Sequence, residues 1–161
     1  MGFFKNLFSA SELEIGAPLA GQAVALKEVN DPTFREGMLG SGIAIRPTGN
    51  RVVAPCDAVV STMFATGHAV SLVADCGAEI LIHVGLETVN LKGEHFAAHC
   101  KDGEKVKKGQ LLMEFDRDAI LAAGYDLITP VVICNTNKYG KVNTYVDKDV
   151  EPGEKVIGLV E

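Results

Sequence analysis

The chain has 161 residues, 47% hydrophobic and 22% charged, the make-up of one globular domain with a core of its own. A net charge of −6 excludes nucleic acid as the main partner, because phosphate-backbone binding needs a basic patch. No apolar run approaches the roughly 18 residues that cross a membrane, and the N-terminus lacks the long apolar stretch and cleavage site of a secretion signal.

Residues 1–13 read as a tail. Phe3, Phe4, Leu7 and Phe8 fall at helical spacing around Lys5, which allows weak membrane-surface contact. The segment is too short to bind strongly, so docking on the domain or simple disorder is the plainer expectation. Asn6 stands where a myristoylation signal needs Ser or Thr. Residues 14–161 are expected to form a single domain. Ile43-Ala-Ile45, Arg51 to Ala54, Val70 to Val73, Ile80 to Val84, Leu111 to Phe115 and Val131 to Cys134 are strand-like. Turn signals recur at Pro47-Thr-Gly49-Asn50, Asp75-Cys76-Gly77, Lys101-Asp102-Gly103 and Glu151-Pro152-Gly153. Helices are expected to be short, the best being Asp116 to Ala123 with Asp116 as N-cap. This density of short strands predicts an all-β, antiparallel sandwich or barrel.

A faint internal repeat is present. Ala17-Pro18-Leu-Ala-Gly-Gln-Ala23 is echoed by Ala54-Pro55-Cys-Asp-Ala-Val-Val60, and Gly103-Glu-Lys-Val106 by Gly153-Glu-Lys-Val156. Hairpins of this kind occur in biotinyl and lipoyl carriers. Those need a lysine at the hairpin tip, where this chain has Leu112-Met113-Glu114, so a swinging-arm carrier is not expected.

The segment from Gly67-His68 to His83-Val84-Gly85 places apolar runs on both sides of Asp75-Cys76-Gly77 and reads as a β-hairpin. With Asp75 and Cys76 as the two loop residues, His68 and His83 stand directly opposite, their Cβ atoms roughly 4.5–5.5 Å apart. Two imidazoles at that distance suit phosphoryl chemistry, metal binding or acid–base catalysis. A slip of one residue in the register would put them on opposite faces. Alternation along the second strand gives Ile80, Ile82, Val84 and Leu86 one face, and Leu81, His83, Gly85, Glu87 and Val89 the other. The first face is continuous enough to be core. The second carries a histidine in an apolar rim, with Gly85 leaving room for close approach, as at a protein-docking site.

Other reactive side chains give weaker signals. His95 and His99 stand at i, i+4 and would share a helix face, without a third metal ligand in view. Cys56, Cys76, Cys100 and Cys134 are far apart in sequence, with no C-x-x-C, and are expected as reduced thiols in a cytoplasmic protein, Cys76 exposed in its turn.

The stretch Ile82-His83-Val84-Gly85-Leu86-Glu87-Thr88-Val89-Asn90-Leu91-Lys92-Gly93-Glu94 resembles the signature of the glucose-type IIA component of the bacterial phosphoenolpyruvate:sugar phosphotransferase system. Gly40 to Gly49, Val53-Ala-Pro55, Thr66-Gly67-His68-Ala69 and Leu127 to Ile133 match further blocks of that family in order, over about residues 14–161. The resemblance implies a compact antiparallel β-sandwich with internal duplication and a phosphotransferase role. It implies that His83 is phosphorylated at Nε2 by the phosphohistidine of HPr and passes the group to a cysteine of a IIB domain of a sugar permease. His68 would assist the transfer and Thr66 hydrogen-bond within the site. Phe34, Met38, Phe64, Leu81, Gly85 and Val89, with the acidic Asp31 and Glu87, would form the partner-binding rim. Glu87 replaces an aspartate of the enteric glucose proteins, and Pro32-Thr33 a pair of valines, changes that bear on partner choice. Regulated transporters or kinases are further partners the resemblance implies. No intrinsic cofactor is implied; His68 and His83 together would offer two zinc ligands, needing a partner's carboxylate to complete a set. A zinc metallopeptidase of related architecture is the alternative, against which His83-Val84-Gly85 lacks the second histidine of an H-x-H pair. A purely regulatory binding module is the other.

Overall fold

Apolar runs of three to seven residues, interrupted by Gly, Pro, Asn and Asp, leave room for short strands only. The computed structural model describes residues 12–161. Its strands are β1 (Leu13–Gly16), β2 (Gly21–Ala25), β3 (Ser41–Pro47), β4 (Arg51–Val53), β5 (Ala58–Met63), β6 (Ala69–Ala74) and β7 (Glu79–His83). They continue with β8 (Phe96–Ala98), β9 (Lys105–Val106), β10 (Leu111–Phe115), β11 (Thr129–Ile133), β12 (Lys141–Thr144), β13 (Lys148–Val150) and β14 (Lys155–Val160). An eight-stranded sheet runs β13-β2-β3-β11-β7-β6-β5-β9, beside three-stranded sheets β1-β14-β12 and β4-β10-β8. Every pairing is antiparallel, as the turn density predicted. The expected helix is α2 (Arg117–Ala122), whose cap is Asp116 accepting from the Ala119 N–H at 3.1 Å. A shorter helix, α1 (Pro32–Arg35), was not foreseen; Asp31 caps it through the Thr33 N–H and Pro32 stands at its first turn.

The duplication is written in the hydrogen bonds. Ala17 donates to the Glu154 carbonyl and accepts from Gly153; Ala54 does the same with Gln110 and Gly109. Ala23 accepts from the Asp147 N–H as Val60 accepts from Gly103. Val150 pairs with Gly21 as Val106 pairs with Ala58. The counterpart of Gly103-Glu-Lys-Val106 is therefore Asp147-Lys-Asp-Val150, and Gly153 answers to Gly109. That corrects the expected match to Gly153-Glu-Lys-Val156, which aligned two different turns because both carry Gly-Glu or Gly-Gln after a left-handed glycine.

The main core lies between the sheets, with Ile15, Leu19, Ile43, Ile45, Leu72, Ile80, Ile82, Leu112 and Met113 essentially sealed from solvent. Leu112-Met113 is thus mid-strand core rather than a hairpin tip. A smaller cluster of Val24, Leu26, Val29, Phe34, Ala44, Leu86, Ile128 and Val132 is separate from this core, with Leu81 packed against it. It sits beside α1 and brings that segment to the end of β7.

Two boundaries differ from expectation. Leu13 already belongs to β1, and Glu12 is tied to Asn143, Tyr145 and Lys155, so ordered structure begins before residue 14. The reading of residues 1–11 as a tail with membrane contact lies outside the described residues. The β6–β7 hairpin pairs Ala69 with His83 and Ser71 with Leu81, one residue off the expected register. The loop holds three residues, Asp75-Cys76-Gly77, closed by the Ala74 N–H on the Ala78 carbonyl at 2.8 Å and the Gly77 N–H on the Ala74 carbonyl at 2.8 Å.

Candidate functional site

By strand alternation the corrected register should send the two histidines to opposite faces. The structure brings them together: their ring centroids lie 4.9 Å apart, nearly perpendicular at 83°. The reason is that neither imidazole sits within a regular stretch. His68 precedes β6, directly after Gly67 in a left-handed turn at φ 71°, and His83 ends β7 just before Gly85 at φ 82°. The His68 carbonyl accepts from the Val84 N–H at 2.8 Å, which fixes the two strand ends side by side.

Gly85 also ends the alternation downstream. Leu86 joins the smaller cluster with Phe34, not the main core that holds Ile80, Ile82 and Val84. The space around Gly85 is filled rather than open: an added Cβ would meet Thr88 Cγ2 at 2.6 Å and the Asp126 carbonyl at 3.0 Å. The role of Gly85 is to hold this turn and to present its carbonyl to His83 Nδ1 at 2.7 Å. A carbonyl only accepts, so Nδ1 carries the proton and Nε2 keeps a free lone pair. The amides of Val84 and Leu86 are committed to the His68 and Asp126 carbonyls and are not spare donors.

His68 is buried, 3% exposed, with Nδ1 2.5 Å from the Thr66 hydroxyl. Its pKa is pushed down to about 4, by burial first and by the neighbouring His83 second. Burial also lowers the pKa of His83, opposed by the Gly85 carbonyl and by the Asp31 carboxylate. Both rings are therefore neutral at physiological pH.

The predicted rim divides. Met38, Phe64 and Val89 are exposed apolar side chains, and Glu87 is exposed in a left-handed conformation. Phe34 is buried and packs on the His83 ring at 5.2 Å, Leu81 is half-buried, and Phe64 packs edge-on to His68 at 5.6 Å. Two neighbours were missed: Phe96 at 6.5 Å from His68, and the buried Thr88, whose hydroxyl donates to the Val84 carbonyl at 2.5 Å; Leu39, next to Met38 in sequence, is a further exposed apolar side chain. Thr88 stood inside the quoted signature, but only the turn shows its use.

The remaining signals separate from the site. His95 and His99 flank strand β8 instead of sharing a helix face; His95 has φ 75°, and His99 pairs with Glu114 at 2.8 Å. Among the described residues no three His, Cys, Asp or Glu side chains group as a metal set. Cys76 is half-buried, not exposed; Cys134 is the exposed thiol. No helix among the described residues is long and apolar enough to cross a membrane.

Two apposed histidines at one end of a duplicated antiparallel β-fold, beside exposed apolar side chains, make the site. The family model for the phosphoenolpyruvate-dependent sugar phosphotransferase system, EIIA 1, matches residues 13–139, and the chain belongs to that family. It is a phosphotransferase component of the glucose EIIA type, the class that carries phosphohistidine. It is 43% identical over 159 residues to the glucose-specific EIIA component of Oceanobacillus iheyensis, covering 96% of both chains. It is 47% identical over 144 residues to the beta-glucoside-specific EIIBCA component of Dickeya chrysanthemi, covering 89% of this chain but only 23% of that protein. The structure of glucose permease IIA from Mycoplasma capricolum superposes with a TM-score of 0.85 at 31% identity, covering 91% of this chain and 95% of the other.

Proposed function

We propose that His83 is the residue that carries the phosphoryl group, accepting it at Nε2 from the phosphohistidine of HPr and yielding it to a cysteine of a IIB domain. The observation that carries this reading is the His83 Nδ1–Gly85 bond, which fixes the tautomer whose Nε2 is nucleophilic. In the first step the Nε2 lone pair forms the new N–P bond as the donor's N–P bond breaks, its electron pair returning to the donor ring. In the second step the cysteine thiolate attacks phosphorus and the pair returns to Nε2. Nδ1 keeps its proton throughout, which makes the imidazole a good leaving group.

His68 is a positioning donor. With Thr66 donating its hydroxyl to Nδ1, the neutral ring bears its proton on Nε2 and offers it to a phosphoryl oxygen. Phosphoryl transfer concentrates charge on three equatorial oxygens, so such donors matter more than covalent help. Met38, Phe64, Val89 and Leu39 supply the apolar docking rim, with Asp31 and Glu87 as its acidic members. EIIB, EIIC and EIIA components share one chain in the Dickeya chrysanthemi relative, which supports a IIB domain as the acceptor. Regulatory binding to transporters or kinases would use the same rim. A zinc ion shared across such an interface would take His68 and His83 and need a further ligand from the partner.

The test is intact mass after incubation with phosphoenolpyruvate, enzyme I and HPr. One acid-labile phosphoryl group on the wild type and none on His83→Ala is the expected result. No gain with competent partners would overturn the assignment.

A further inference from the structure

At the tip of the β6–β7 hairpin, away from the histidines, the fold brings together a second reactive pair. Ala58 faces Ala74 in the β5–β6 ladder, and the Asp75 N–H donates to the Asp57 carbonyl at 3.0 Å. One residue beyond this bond on each side stand Cys56, just before β5, and Cys76, in the β6–β7 loop. Both thiols are half-buried against the main core. They line one shallow cavity together with Leu13 and Lys108. The Asp75–Asp57 hydrogen bond holds the residues adjoining both cysteines side by side, the approach that a disulfide, with Cα atoms roughly 4.4–6.8 Å apart, requires.

We propose that Cys56 and Cys76 form a reversible intramolecular disulfide by exchange with a low-molecular-weight disulfide. The Cys76 thiolate attacks one sulfur of the small disulfide, forming a mixed disulfide and releasing one thiolate. Cys56 then loses its proton to solvent, attacks the Cys76 sulfur, and releases the second thiolate. Two protein thiols and one small disulfide become one protein disulfide and two small thiols. One feature favours this order. Burial, and then the adjacent Cys76, push the Cys56 thiol up to about 12, so its thiolate is scarce and it does not open the exchange. Tyr139 is 7% exposed and its buried hydroxyl lies beside Cys76, one of the groups that raise its pKa after burial.

The experiment is non-reducing peptide mapping of the full chain after incubation with oxidised glutathione. The expected result is a loss of two hydrogens from the intact mass, a linked peptide holding Cys56 and Cys76, loss of both thiols to alkylation, and full reversal by dithiothreitol. Cys56→Ser should trap glutathione on Cys76. A persistent glutathione adduct in the wild type, a link through Cys100 or Cys134, or unchanged thiols would each overturn the proposal. The wild-type map decides by itself, whatever the folding of the variant.

Discussion

The His83 ring is fixed by the carbonyl of Gly85, two residues along the chain, at 2.7 Å. The bond exists because Gly85 adopts φ 82°, a conformation that turns its carbonyl back toward the imidazole. Gly85→Ala should damage both fold and site. The left-handed backbone costs about 1–2 kcal/mol for any other residue. The new Cβ would also meet Thr88 Cγ2 at 2.6 Å and the Asp126 carbonyl at 3.0 Å. Urea unfolding should show the stability loss, and the initial rate of phosphorylation should fall further than the folded fraction does. An unchanged rate per folded molecule would mean that the tautomer needs no such lock.

His68 and Thr66 give a different signature. His68→Gln leaves the His83 nucleophile and its Gly85 bond in place, so first phosphorylation should be retained. Onward transfer should slow roughly 10- to 100-fold, the worth of one charge-assisted hydrogen bond of about 1.5–3 kcal/mol. Thr66→Val should give the same pattern more weakly, because the hydroxyl acts through His68 Nδ1. Single-turnover transfer from each phosphorylated variant to a IIB domain measures this. Equal losses in both half-reactions would contradict the positioning role.

How much of this was legible in the sequence differs from residue to residue. The turn signals at Pro47-Thr-Gly49-Asn50, Asp75-Cys76-Gly77, Lys101-Asp102-Gly103 and Glu151-Pro152-Gly153 all fall between strands, since such residues supply backbone conformations that strands cannot. Strands such as β8 and β13 were invisible, being three residues long and too short for a period to register. The meeting of His68 and His83 was foreseen from a register that is wrong by one. It survives because Gly67 and Gly85 free both strand ends from alternation, something no periodicity argument contains. Phe34 was read as rim, yet its ring is buried against His83, because the helix that Asp31 and Pro32 start was hidden in a span of only four residues.

Acid should weaken the fold through the same histidines. His68 has a folded pKa near 4 against an ordinary value of 6.5, so the unfolded chain binds the extra proton between those values. Stability contributed by the neutral ring is therefore fully present above about pH 6.5 and is lost as pH falls toward 4. His83 adds to the slope in the same direction, since burial lowers its pKa too. Urea midpoints measured from pH 7.5 to 4 should show His68→Gln flattening this fall. Phosphoryl acceptance should persist to lower pH than for a free imidazole, because burial lowers the His83 pKa. A stability profile unaltered by the substitution would show that the buried ring is not what titrates.

The exposed rim residues should separate docking from chemistry. Val89 is 48% exposed and Phe64 37%, so truncating either removes little buried surface. Val89→Ala should leave stability within about 0.5 kcal/mol, as for surface positions generally. Phe64 also packs on His68 at 5.6 Å, so Phe64→Ala should cost somewhat more. Both should raise the apparent KM for phosphorylated HPr about fivefold, the equivalent of ~1 kcal/mol for an interface anchor, with the maximal rate nearly unchanged for Val89→Ala. Leu121, equally exposed at 44% but on α2, is the matched control: Leu121→Ala should move neither parameter. Rates against donor concentration for the three variants decide the matter. A KM shift in Leu121→Ala equal to that in Val89→Ala would show that generic apolar exposure, not this rim, receives the partner.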